Sequence, residues 1–169
     1  LSVGSGFEFY DDLYWNTGVS SYVEKLETDN TASASMKKQE GSYFDTLFNH
    51  TLSYDKRNQR YKTSDGYISR FTQNIPLISE SYTLINSYDY KIYNEWLYEN
   101  VFSIGFFGKT SNSLSGKNVK LSDRLYLPAS KLRGFETGKV GPKDGADYIG
   151  GNYVAAMNIA TNLSQILPN

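Results

Sequence analysis

The sequence predicts an all-β fold, an antiparallel up-and-down transmembrane β-barrel present in part, as about seven strands of a larger barrel. Three observations predict it. Apolar and polar residues alternate with period two through most of the chain, the pattern of strands with one apolar face. Aromatic residues make up 15% of the chain, with fifteen Tyr and nine Phe, yet its mean hydropathy is negative. Tyr and Trp suit places where one end is apolar and the other wet, including membrane interfaces. Short ring-bearing turns alternate with longer polar loops, the asymmetry of outer-membrane barrels. A soluble β-sandwich shows the same alternation toward a protein core. The loop asymmetry and the aromatic rims favour the barrel.

Composition removes other classes. The chain has 169 residues and a formal net charge of -1. One domain, or a piece of one, is expected, with no basic footprint for nucleic acid. There is no cysteine, hence no disulfide framework and no thiolate metal site. The single histidine, His50, excludes a multi-histidine metal site. A run of about eighteen apolar residues, the mark of a transmembrane helix, does not occur. Neither a serine–histidine–acid set nor a nucleotide loop is visible, so no enzyme and no cofactor is expected. The chain opens on Leu1 and closes on Leu167-Pro168-Asn169, and both ends are expected to be cuts through a longer protein.

The first strand is 1–10, with Leu1, Val3, Phe7 and Phe9 on one face. Its Gly4-x-Gly6 lacks the third glycine and the following helix of a phosphate loop. Residues 11–18 read as a turn rimmed by Tyr14 and Trp15, and the Asp11-Asp12 pair as solvated rather than metal-binding. The second strand is 19–26. The polar segment 27–42 loops out, with 32–36 able to extend a strand. The third strand, 43–56, sets Phe44, Phe48, Leu52 and Tyr54 against Asp45, Asn49, Ser53 and Asp55. His50 falls on its apolar side and reads as structural or interfacial. The sequon Asn49-His50-Thr51 lies in this strand, and Asn162-Leu163-Ser164 in the last, so neither carries weight.

The basic link 55–66 ends in Ser64-Asp65-Gly66, a strong turn signal. The fourth strand, 67–77, aligns Phe71, Ile75 and Leu77. After the connection 78–81, the fifth, 82–93, aligns Tyr82, Leu84, Tyr88, Tyr90 and Ile92. A ring-bearing turn covers 94–100. The sixth strand, 101–109, aligns Phe102, Ile104 and Phe106. The last strand, 152–163, carries Tyr153, Ala155, Met157, Ile159 and Leu163, with a turn at 164–169.

Strand patterning leaves Lys131 to Asn152 unexplained. This stretch holds six of the chain's fourteen glycines and Pro142. Long aperiodic loops in compact proteins are functional or disordered. Here Leu132, Phe135, Val140, Tyr148 and Ile149 supply apolar anchors, so the loop is expected to pack against something. At its centre stands Arg133-Gly134-Phe135, a guanidinium able to meet a carboxylate bidentately.

Taken in order, Leu132-Arg133-Gly134-Phe135, Gly141-Pro142 and Ile149-Gly150-Gly151-Asn152 resemble the conserved loop of the BamA family of outer-membrane protein assembly factors. The turn from Tyr61 through Thr63 to Gly66 is similar to that family's aromatic-x-Thr-x-Gly turn. The resemblance covers essentially the whole chain, residues 1–169. Leu132 stands where the family usually has Val, and the loop is shorter than in many members.

The resemblance implies a sixteen-stranded barrel in a cell outer membrane, preceded by periplasmic POTRA domains. This chain would hold strands about six to twelve, with 131–152 as a lumen-inserted loop. Arg133 would pair with a wall carboxylate outside this chain, Gly134 would allow the close approach, and Phe135 would pack on the wall. The implied partners are outer-membrane lipids, nascent β-barrel proteins and accessory assembly lipoproteins. Related two-partner-secretion or TamA-like barrels share the loop. A passive porin or a soluble β-rich binding module stand further off.

Overall fold

The computed structural model describes residues 1–96 and 100–162. Its strands are β1 (Ser2–Tyr10), β2 (Leu13–Leu26), β3 (Gly41–Asp55), β4 (Gly66–Ser79), β5 (Thr83–Glu95) and β6 (Val101–Ser113). A short pair follows, β7 (Lys143–Asp144) and β8 (Asp147–Tyr148), and then β9 (Tyr153–Thr161). One short helix, α1 (Ala34–Lys37), lies between β2 and β3, and a 3-10 turn covers Leu121–Asp123. The long strands form one sheet in the order β1-β2-β3-β4-β5-β6-β9, every neighbour antiparallel. This is an up-and-down meander, not closed, with β1 and β9 at its edges. Among the described residues no helix is long and apolar enough to cross a membrane.

Side chains alternate across a strand, so residues opposite one another share a face. Phe7, Trp15, Leu52, Phe71 and Tyr88 align across β1 to β5 on one face. One residue along, Glu8, Tyr14, Ser53, Arg70, Asp89 and Phe107 align on the other face. The sheet therefore has an aromatic face and a polar face.

The aromatic face carries a polar row that takes in His50. Thr17, His50, Gln73, Asn86 and Thr110 align across β2 to β6. His50 Nε2 lies 3.1 Å from Gln73 Oε1, Gln73 Nε2 donates to Asn86 Oδ1 at 2.6 Å, and Asn86 Nδ2 donates to Thr110 Oγ1 at 3.3 Å. Such a chain satisfies polar groups that apolar surroundings would otherwise penalise. Replacing Gln73 by Leu strands two of them. The expected cost is about 1–3 kcal/mol, read as a lower temperature at which the full-length protein loses its compact band on a cold-detergent gel.

Four boundaries differ from the sequence reading. The turn expected at 11–18 is only Asp11-Asp12, with Asp12 at φ 64°; Tyr14 and Trp15 are strand residues. An Asp tolerates this left-handed conformation better than most residues. Residues 34–37 form α1 rather than extending a strand. β4 and β6 run on to Ser79 and Ser113, so only 80–82 connects β4 to β5. The loop asymmetry is accordingly uneven, because that connection is short on the side of the long loops. The turn expected at 94–100 falls partly on residues 97–99, and Leu163 and the turn at 164–169 wholly, outside the described residues.

Candidate functional site: a loop seated on the polar face

The long connection from β6 to β9 folds back over the polar face and supplies the small apolar core. Val119, Leu121 and Leu125 of this loop are buried, and so is Phe107 of β6. Three seats hold it.

The first seat is Lys120, 4% exposed. Its Nζ lies 2.8 Å from Glu24 Oε2 of β2 and 2.9 Å from Asp45 Oδ2 of β3, and 5.0 Å over the Tyr43 ring. Ser79 Oγ of β4 donates to the other Asp45 oxygen at 2.6 Å. Burial alone would push the Lys120 ammonium down, but its hydrogen bonds to Glu24 and Asp45 outweigh this, and its pKa ends raised. Asp123 lies beside the cluster, where burial pushes its carboxyl up while Lys120 pulls it down. Backbone and hydroxyl contacts reinforce the seat: Leu121 N donates to Gln39 Oε1 at 2.7 Å, and Ser122 Oγ to Glu24 Oε2 at 2.8 Å.

The second seat is Lys131, whose Nζ lies 2.5 Å from Asp89 Oδ2 of β5 and 5.0 Å over the Phe107 ring. Its carbonyl accepts from Asn158 Nδ2 of β9 at 3.1 Å.

The third seat is the β7–β8 hairpin against the α1 region. Ser33 N donates to Asp147 Oδ2 at 2.9 Å, and Ser35 Oγ donates to Asp144 Oδ2. The Ser35 hydroxyl, and after it Ser33, hold the Asp144 carboxyl below its ordinary range.

The structure brings together the second half of the sequence motif. Ile149 N donates to Pro142 O at 3.0 Å, and Leu125 and Gly151 exchange both backbone hydrogen bonds at 2.8 and 2.9 Å. Asn152 O accepts from Ser111 N of β6 at 2.8 Å, which starts β9. Gly141, next to Pro142, is exposed at φ 136°. Gly150 has φ 68°, and a Cβ there would lie 3.0 Å from both Leu125 O and the Tyr126 ring. Glycine is required at this position on both counts.

Arg133, Gly134 and Phe135 stand apart from these seats. Arg133 is exposed and makes no ion pair among the described residues. It lines a cavity of about 410 Å³ with Asp89, Lys91, Lys131 and Asn158. Phe135 is 61% exposed and does not pack on the described wall. Nothing approaches Gly134 within 4 Å of a Cβ position, so its φ of 84° rather than a close contact favours glycine. On the described strands the loop is anchored by Lys131, a residue outside the sequence motif. The signal was its register: alternation placed Asp89 on the polar face as a carboxylate without an assigned partner.

The second motif closes the β3–β4 link around Asn58. Its Oδ1 accepts from Ser64 N and Asp65 N, each at 3.3 Å, and its Nδ2 donates to Ser64 Oγ at 2.8 Å. Thr63 Oγ1 donates to Gln59 O at 2.7 Å. Tyr61 is exposed. Beside them Arg57 forks onto Asp55, with both nitrogens at 2.7 Å.

A meander with an aromatic face, a polar face and a loop seated on the polar one is part of the wall of a β-barrel. The model of the Omp85 superfamily domain matches residues 1–161, and the chain belongs to that superfamily. Among curated proteins it is similar to the human Sorting and assembly machinery component 50 homolog, at 25% identity over 130 residues, 72% of this chain and 26% of that protein. It is also similar to a SAM50-like protein of Schizosaccharomyces pombe, at 44% identity over 50 residues, 29% of this chain and 10% of that protein. The chain thus spans about a quarter of the longer match.

Proposed function

We propose that this chain is part of the barrel of an outer-membrane protein assembly factor, which folds and inserts other β-barrel proteins. The BamA-like motif order supports this reading, as does similarity to a protein whose name is that of an assembly-machinery component. The observation that carries it is the seated loop. Three seats fasten a folded loop across the polar face, and a passive pore has no need of the Arg133-Gly134-Phe135 and Gly150-Gly151-Asn152 that this loop carries. In this reading residues 1–169 are strands about six to twelve of the parent, and the polar face lines its lumen. Residues 131–152 are the lumen loop, with Arg133 left for a carboxylate beyond β9. Tyr61, Thr63 and Gly66 close a turn at the opposite end.

Work of this kind exchanges backbone hydrogen bonds and apolar burial between barrel and client, with no covalent step. The partners are outer-membrane lipids, nascent barrel proteins and accessory lipoproteins. The motifs favour the outer membrane of a bacterial cell. The human and yeast relatives favour a second reading, the mitochondrial outer membrane.

The test uses the full-length protein in liposomes with a denatured eight-stranded barrel as client. Appearance of the client's heat-modifiable folded band is expected to be faster than with empty liposomes of the same lipid. Equal rates overturn the proposal.

A further inference from the structure

We propose that Asp89, through Lys131, positions the lumen loop for client assembly, as a wall anchor distinct from Arg133. The inference rests on the assembly reading above.

Lys131 is where one loop residue meets three consecutive strands of the sheet. Its ammonium is 2.5 Å from Asp89 Oδ2 of β5, it covers the Phe107 ring of β6 at 5.0 Å, and its carbonyl accepts from Asn158 of β9 at 3.1 Å. An isolated ion pair with side chains 27% and 35% exposed would fasten little. This one is clamped on both sides. The aromatic ring fixes the ammonium, and the amide fixes the backbone behind it. Phe107, on β6, is buried among the wall residues, and it lies under this lysine.

Asp89 also has a rival partner. Arg70 of β4 lies directly opposite it in the register, at a position where cross-strand ion pairs form. Yet Arg70 is exposed and makes no ion pair among the described residues, while Lys131 of the loop holds the carboxylate. Asp89 therefore faces two cations, one belonging to the wall and one to the loop. With Lys131 in place the loop is seated; with the carboxylate turned to Arg70 it is free. Lys91 and Arg133 line the same cavity, so the surroundings hold a surplus of positive charge over this single acid. That surplus makes Asp89 the limiting group.

The test is a charge exchange in the full-length protein on a cysteine-free background. The variants are Lys131→Glu, Asp89→Lys and the two together, each also carrying Leu132→Cys. Leu132 is half-buried on the same cavity, and the chain has no cysteine of its own, so maleimide labelling of this position reads the seat. Each single exchange is expected to label about five- to tenfold faster and to slow client folding in liposomes by a similar factor, while the double exchange recovers part of both, the ring favouring a cation over a carboxylate. Asp89→Asn, which keeps the side-chain shape, should behave like the singles. A heat-modifiable band in every variant confirms that the barrel has folded. Singles that label at the unexchanged rate, or a double no better than the singles, overturn the proposal. A loss of protection without slower client folding overturns the link to assembly. If the unexchanged protein itself fails to speed client folding, the assembly reading fails, and labelling still reports on the anchor by itself.

Discussion

Replacing Lys120 by Met is expected to cost the full-length protein about 3–5 kcal/mol, the range for removing one partner of a buried ion pair. Met keeps the length and apolar stem of the side chain, so the loss reports the charge. Without the ammonium, Glu24 and Asp45 face each other across the polar face with nothing between them, and Asp45 is 3% exposed. The first seat should open, taking Val119 and Leu121 with it. Thermal melting followed by the compact band on cold-detergent gels measures this, and proteolysis in the loop should begin below the global transition. The loss should shrink as the pH falls, because protonation removes the orphaned charges.

The neighbouring acid should respond with the opposite sign. The Asp123 carboxyl is raised by burial. A carboxyl raised on folding contributes stability below its ordinary value and loses it as the pH rises through the folded value. At neutral pH Asp123 is therefore a cost, and Asp123→Asn should leave stability unchanged or raise it. For Lys120 the sign runs with the ion pair. Its raised pKa adds stability that is complete at neutral pH and disappears only as the pH rises through the folded value, above the ordinary lysine range. A variant Asp123→Asn that melts well below the parent at neutral pH would refute this account of the cluster.

The sheet was legible because its physics is local. Period-two alternation fixes which residues share a face, and Phe44, Phe48, Leu52 and Tyr54 do share one. Strand ends were less legible. Rings next to Asp11-Asp12 resemble the rim of a turn, whereas the left-handed Asp12 turns the chain in two residues and leaves Tyr14 and Trp15 to β2. The loop was legible as a loop, and its glycine-rich second half closes as a unit. What the sequence hid was its attachment. Lys120–Asp45 joins residues 75 apart in sequence and Lys131–Asp89 residues 42 apart. No local pattern distinguishes the lysine that meets a carboxylate of these strands from the arginine two residues on, whose expected partner lies outside this chain. Chemistry favoured Arg133, since a planar fork suits a carboxylate. Position decided for Lys131, since Phe107 and Asn158 lie beside it on the neighbouring strands.

Gly66→Ala should destabilise the opposite end of the sheet by about 3 kcal/mol, the upper range for a side chain held in a left-handed conformation. Gly66 has φ 93°, and a Cβ there would lie 2.1 Å from the carbonyl oxygen of Lys56. That contact is with backbone, so no rotamer change relieves it. Lys56 N donates to Tyr67 O at 2.8 Å, the bond that closes the β3–β4 link. To admit a methyl group the chain must open that bond, and the Asn58 cage beside it loses its geometry. The consequence reaches past the turn, because the link sets the register between β3 and β4. A slip by one residue would turn Asp55 and Ser53 to the aromatic face and Tyr54 to the polar one. The expected readout is a lower melting temperature together with slower appearance of the compact band on refolding. Asn58→Ala should give a weaker form of the same defect, since it removes hydrogen bonds without forcing a clash. If Gly66→Ala melts and refolds like the parent, the backbone at this turn is not held as described, and the register of β3 on β4 must be set along the strands instead.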